Sequence, residues 1–202
     1  MPSYAVAYTP PPFSPLAKFG AGILGYDCFE GADVKQRAVP GIDPALLSLL
    51  TVAPRRAGFQ ATVVPPFSLH ERRENELRQA VATLAQDHHP MLLGPLSFAY
   101  VGAFIVLRTE KTSARLRQFA GACRAAFEPF STPAAADSSD DFAFRIRIAG
   151  PTDTPDEPMR HLASAFEEQA RDEVEFGSIS LMRQDDPAAR FRVLACKLLT
   201  GR

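Results

Sequence analysis

Apolar and polar positions alternate or recur at helical spacing along most of the chain, so the elements can be drawn before any chemistry is considered. Residues 4–9 alternate and stop at Pro10-Pro11-Pro12, predicting a first strand. Ser14-Pro15 is an N-cap followed by proline at the first helical position. Leu16, Phe19, Ile23 and Leu24 then recur at helical spacing, and Gly25 closes the helix. Asp43-Pro44 repeats this start signal ahead of Leu46, Leu47, Leu49 and Leu50. Residues 59–64 form a strand ended by Pro65-Pro66, and residues 74–87 an amphipathic helix with Leu77, Val81 and Leu84 on one face. Residues 91–98 and 101–107 read as a pair of short strands. Residues 113–127 read as a helix that aligns Leu116, Phe119, Ala120, Cys123 and Phe127. Residues 131–141 are rich in turn formers and predict a loop, followed by a strongly alternating strand over 142–149. A helix over 156–172 presents Met159, Leu162, Ala163 and Phe166, and strands over 173–182 and 191–198 close the chain.

Strands and helices are thus mixed, with hairpins among the strands. This predicts an α+β fold of antiparallel sheets covered by helices and not a regular βαβ array. The order strand, helix, strand, strand, helix, strand recurs loosely in each half. The expected organisation is one domain, 1–202, of two pseudo-symmetric lobes.

The length of 202 residues suits one such domain. Lys plus Arg number 22 and Asp plus Glu 23, a net charge of -1, which excludes the bulk electrostatics of a non-specific nucleic-acid binder but not a local anion site. No partnership with double-stranded nucleic acid is expected. Cys28, Cys123 and Cys196 are odd in number and widely spaced, which argues against a disulfide framework or a cysteine-based zinc site and for a reducing, cytoplasmic setting. Met1-Pro2-Ser3-Tyr4 lacks the basic start and apolar core of a signal peptide. Residues 88–107 contain no Asp, Glu, Lys or Arg, but Pro90, Gly94, Pro95 and Gly102 interrupt them. Two strands explain the stretch better than a membrane span.

Several chemistries are missing. Gly20-x-Gly22 lies inside a predicted helix with no preceding strand, so it is not a dinucleotide fingerprint, and no G-x-S-x-G elbow occurs. His70, His88, His89 and His161 make no metal-ligand spacing, and they read as surface or helix-end residues. His70 alone, close after the strand at 59–64, has a route to a site there. Neither metal nor cofactor is expected. Two strands stand out instead. Over 58–65, Phe59, Ala61 and Val63 share one face while Gln60 and Thr62 share the other. Over 142–150, Phe142, Phe144, Ile146 and Ile148 oppose Arg145 and Arg147, whose positions lie roughly 6.5–7 Å apart along a strand.

From end to end the chain resembles the bacterial phosphonate-operon proteins known as domain of unknown function 1045, relatives of the two-histidine phosphoesterases. The resemblance is carried by Tyr4-Ala-Val-Ala-Tyr8-Thr9-Pro10, Val39-Pro40-Gly41-Ile42-Asp43-Pro44 and Pro54-Arg55-Arg56-Ala57-Gly58-Phe59-Gln60-Ala61-Thr62. Pro66-Phe67, Gly102-Ala-Phe104, Phe127-Glu-Pro129-Phe130, Phe142-Ala-Phe144 and the tail Leu181-Met-Arg183-Gln184-Asp185 with Phe191-Arg192-Val193-Leu194 extend it. It implies two ferredoxin-like halves facing across a groove. Each half would offer a His-x-Thr or His-x-Ser strand, with the histidines as general base and acid and the hydroxyls holding a phosphate. Here the first motif position is Gln60, with Thr62 kept, and the second motif reads Arg145-Ile146-Arg147. Val64 stands where relatives often carry Lys, and the segment between Phe130 and Phe142 is shorter than the insertion usual there. An amide has no proton equilibrium near neutrality and a guanidinium stays charged, so neither replaces an imidazole. Both do suit an anion.

The expected site is therefore Gln60, Thr62, Arg145 and Arg147, with Tyr4, Tyr8 and Arg56 beside them. It would bind a phosphorylated or phosphonate small molecule without histidine-based catalysis. Two alternatives stay open at this point: a phosphodiesterase using other groups, and an interaction protein whose groove binds no small ligand.

Overall fold

A computed structural model of the chain describes residues 1–69, 71–130, 142–168 and 174–202. Strand β1 (Ser3–Tyr8) leads to helix α1 (Pro15–Leu24), which is followed by a small hairpin, β2 (Tyr26–Asp27) and β3 (Ala32–Asp33). Two short helices, α2 (Pro44–Leu50) and α3 (Val52–Ala57), precede strand β4 (Ala61–Ser68) and helix α4 (Glu74–Gln86). Strands β5 (Met91–Gly94), β6 (Leu96–Val101) and β7 (Phe104–Thr109) come next, then helix α5 (Ala114–Phe127), strand β8 (Arg145–Ala149) and helix α6 (Asp156–Glu167). The chain closes with β9 (Val174–Phe176), β10 (Ser178–Gln184) and β11 (Arg192–Leu198).

The helix signals hold at the atomic level. Ser14 Oγ accepts from the Ala17 amide, Pro15 opens α1, and Gly25 ends it in the left-handed region at φ 68°. Asp43 caps α2 and Ser113 caps α5 in the same way. Pro54 sits in the first turn of α3, where its missing N–H leaves no helical bond unmade.

The strands form a four-stranded antiparallel sheet in the order β11-β10-β1-β4, a three-stranded antiparallel sheet β6-β7-β8, and a β5-β9 pair. Helices α4 and α5 pack together over the larger sheet, α4 on β10 and β11 and α5 on β4. Helices α1 and α3 lie against β8, and α6 against β6. The edge strands β4 and β8 are neighbours, and the Gly150 amide just past β8 donates to Leu50 O at the end of α2 (2.7 Å). Buried residues of both sheets, among them Tyr8, Val63, Ile146 and Ile148, belong to one continuous core. Within it α1 approaches the start of β4 so closely that a Cβ on Gly20 would lie 2.1 Å from the Phe59 ring. Glycine is required there by contact.

The structure differs from the sequence expectations at several boundaries. Pro95 divides the expected strand 91–98, and its two parts join different partners, β5 pairing with β9 and β6 with β7. Gly177 likewise divides the expected strand 173–182 into β9 and β10. The alternating stretch 142–149 becomes regular strand only from Arg145. The β2–β3 hairpin is an addition, two residues to a strand and too short to show a period. His70, the loop 131–141 and residues 169–172 of the helix expected at 156–172 lie outside the described residues.

Candidate functional site

Strand β4 begins where Gly58 turns the chain at φ 80° and Phe59 anchors in the core. Its register with β1 sets Ala61 opposite Tyr8 and Thr62 opposite Ala7. Ala61 and Val63 therefore enter the common core, while Gln60 and Thr62 lie on the other side. Gln60 is largely buried and its amide closes on the exposed Thr62 hydroxyl, with Nε2 donating at 3.0 Å and Oε1 accepting at 3.2 Å.

Strand β8 shows the same alternation more sharply. Ile146 and Ile148 are fully buried in the common core, and Arg145 and Arg147 are exposed on the reverse side. The Arg147 guanidinium lies 4.9 Å above the Phe104 ring of β7, a cation–π contact. Arg145 stands directly opposite Arg108, also exposed. Both polar pairs thus occupy the sides of two neighbouring edge strands turned away from a shared core.

The remaining expected residues lie elsewhere. Tyr4 and Tyr8 are fully buried and project from the face of β1 opposite to Ala7, away from Thr62. The Tyr4 ring packs 6.4 Å from Phe67 and its hydroxyl donates to Glu74 Oε2 (2.9 Å). Tyr8 packs between Phe144 and Phe176, at 5.4 and 5.0 Å, and its buried hydroxyl has no hydrogen-bond partner among the described residues. Burial, and then the charge of Glu175, push the Tyr8 phenol well above its usual range, so it holds its proton. Arg56 is exposed on α3 and bonds Pro187 O, while its own carbonyl accepts from the Phe191 amide (2.9 Å). It fastens the β10–β11 turn.

The pattern also concealed a cover. Ala5, Ala7 and Met182, on the Thr62 side of the larger sheet, are buried beneath Tyr26, Cys28 and Phe191. Tyr26 donates to Phe191 O (3.0 Å), and the Val193 amide donates to Cys28 O (2.7 Å). Burial pushes the Cys28 thiol up to about 12, so it is a packed apolar group and not a nucleophile. The hydroxyls of Thr9 and Ser180 meet at 2.6 Å, both fully buried. An open cavity of about 290 Å³ lies between α1 and the hairpin, with Phe59 and the exposed Lys18 and Lys35 among its lining. No group of three or more His, Cys, Asp or Glu able to hold a metal occurs among the described residues. No helix among them is long and apolar enough to cross a membrane.

Residues 62–140 match the family described as "Protein of unknown function (DUF1045)". A curated relative, the ribose 1,5-bisphosphate phosphokinase PhnN of Janthinobacterium sp. (strain Marseille), is 31% identical over 134 residues. That alignment covers 66% of this chain but only 30% of the relative. Among solved structures, E. coli LigT complexed with 3'-AMP superposes with a TM-score of 0.57 at 12% identity, over 98% of both chains. E. coli LigT complexed with NADP+ gives 0.55 at 11% identity, over 98% of this chain and 96% of LigT. The Thermus thermophilus protein TT0787 gives 0.55 at 15% identity, over all of both chains. The chain therefore carries a DUF1045 segment over residues 62–140 within the α+β, antiparallel-sheet fold of the LigT-like two-histidine phosphoesterases.

Proposed function

We propose that this protein binds a phosphorylated or phosphonate-bearing small molecule where β4 and β8 adjoin, through Gln60, Thr62, Arg145 and Arg147, and that it does so without histidine-based acid–base catalysis. The observation that carries this reading is the placement of two exposed guanidiniums on the outer side of β8, next to the edge strand bearing Gln60 and Thr62. Neither Arg145 nor Arg147 forms an ion pair with a described residue, so an anion is the missing countercharge.

Acid–base chemistry has no carrier at these positions. Each general acid or base is typically worth about 10²–10⁴ in rate, and neither an amide nor a guanidinium exchanges protons near neutrality. Electrostatic stabilisation by the arginines survives, and that is a binding function. Two structures of this fold were solved with 3'-AMP and with NADP+, both phosphorylated small molecules. The relative's name specifies a ribose bisphosphate, and the resemblance to phosphonate-operon proteins leads to the same chemistry. The relative's kinase activity is not transferred, because 70% of its length lies outside the alignment and this chain has no Gly-rich phosphate loop.

The test is ligand-induced stabilisation. Phosphate or ribose 5-phosphate should raise the melting temperature, Arg145→Ala should abolish the rise, and hydrolysis of 2',3'-cyclic nucleotides should stay at background. Hydrolysis lost in Arg145→Ala would replace this reading with an enzyme that uses non-histidine groups. Restoring both motifs, with Gln60→His, Arg145→His and Arg147→Thr, should create phosphodiesterase activity if the rest of the site persists.

A further inference from the structure

We infer that the anion site extends across the three-stranded sheet to Arg108, and that its ligand carries two anionic groups held well apart, as in a sugar bisphosphate. This rests on the reading above and specifies its substrate class.

Strand register supplies the first argument. Arg108 on β7 is directly opposite Arg145 on β8, and Ser97 on β6 is directly opposite Arg108. Residues directly opposite in antiparallel strands project from the same face, with Cβ atoms roughly 4.5–5.5 Å apart. Ser97, Arg108 and Arg145 are all exposed, whereas Ile105, Leu107, Ile146 and Ile148 on the reverse face are fully buried. A hydroxyl and two guanidiniums therefore form a row across three strands.

Charge supplies the second. Like charges directly opposite each other destabilise a sheet. Nothing described relieves this pair, for neither Arg108 nor Arg145 makes an ion pair with a described residue, and Glu110, two residues beyond Arg108, makes none with either. An anion between the two guanidiniums would turn the repulsion into bidentate attraction.

The direction of Arg147 supplies the third. Its position pairs with Val106, yet its guanidinium lies over Phe104, two residues farther from Arg108 along β7. At about 3.3 Å per residue, Phe104 and Arg108 are on the order of 13 Å apart along the strand. The positive charge is thus divided between an Arg108–Arg145 pair at one end and Arg147 at the other. Pyrophosphate, whose phosphoryl groups share one bridging oxygen, covers only a fraction of that backbone separation. A polyol with phosphoryl or phosphonyl groups at its two ends has the required reach.

Isothermal titration of the full chain with inorganic phosphate, pyrophosphate, ribose 5-phosphate, ribose 1,5-bisphosphate and fructose 1,6-bisphosphate tests this. At least one bisphosphate should bind ten-fold or more tighter than pyrophosphate and ribose 5-phosphate. Arg108→Gln should erase that advantage, and Arg108→Lys should retain part of it. The ligand-free Arg108→Gln protein should also melt above the unaltered chain at low salt, a difference that fades by about 0.5 M salt as the charges are screened. Binding of phosphate and bisphosphate with equal strength, dependent on Arg145 but indifferent to Arg108, would overturn the extension and leave the anion site standing. No binding by any of the five probes, or binding unchanged in Arg145→Ala, would overturn both.

Discussion

Two arginine clusters among the described residues, one around each principal sheet, are built on opposite principles. In the four-stranded sheet, Arg183 bonds Glu74 (2.6 Å) and Asp185 (2.7 Å), Arg78 bonds the second oxygen of Glu74 (3.1 Å), and Tyr4 donates to the first (2.9 Å). Arg192 lies 3.6 Å from Asp185, extending the network to β11. Every guanidinium there has a carboxylate, and together they tie α4 to β1, β10 and β11. In the three-stranded sheet, Arg108, Arg145 and Arg147 share one open face and have no carboxylate among the described residues. The contrast separates a charge placed for stability from a charge placed at the expense of stability. Residue type does not distinguish them, but partners do.

The largest loss of stability should come from Arg183→Ala. It leaves Glu74, whose side chain is only 18% exposed, without its shortest bond, and should cost about 2–3 kcal/mol in chemical denaturation. Glu74→Gln should cost less, about 1–2 kcal/mol, since the amide keeps the shape and some of the bonds. Burial alone would raise the Glu74 carboxyl, but bonds from Tyr4, Arg78 and Arg183 outweigh it and hold the group below its ordinary range. Its folded value being lowered, its stabilisation is complete above the ordinary glutamate range and is lost as the pH falls toward the lowered value. The unaltered chain and Glu74→Gln should therefore converge in stability in acid, which denaturation at stepped pH will read.

Tyr8→Phe removes a buried polar group that belongs to neither cluster. The Tyr8 hydroxyl is buried without a described partner, so its removal should leave stability unchanged or raise it by up to about 1 kcal/mol. Arg145→Gln should have the smallest effect on the free protein, a gain of a few tenths to about 1 kcal/mol at low salt, as the opposition to Arg108 is relieved. A loss there comparable to that in Arg183→Ala would make the two clusters alike and remove the basis for reading one of them as a site.

Legibility in the sequence followed the same line between local and cross-strand information. Ser14-Pro15, Asp43-Pro44 and Ser113 announced their helices because a cap is made by residues two or three apart. The β8 alternation was legible because one side is wholly buried and the other wholly exposed over Arg145–Ile148. The side taken by Tyr4 and Tyr8 was not, because β1 is buried on both faces from Tyr4 onward and alternation then carries no sign. Arg108 was missed because the strand expected at 101–107 stopped one residue short of it, while the observed strand runs to Thr109. Its significance lies in facing Arg145, and no single-strand pattern records which strands will be paired or in what register. The Tyr26–Asp33 hairpin, with Cys28 over the larger sheet, was invisible for want of length.

One-residue joints at Pro95 and Gly177 have a mechanical consequence. Strand β5 runs into β6 and β9 into β10, while β5 and β9 pair with each other. The two principal sheets are thereby stitched together at two adjacent points, with no slack chain to serve as a hinge. Swinging one sheet away from the other would tear this short ladder, so large clamshell opening is denied to the molecule. An anion bound as proposed where β4 and β8 adjoin would have to be admitted by side-chain rearrangement at a fixed span, and the spacing of the charges would then act as a ruler.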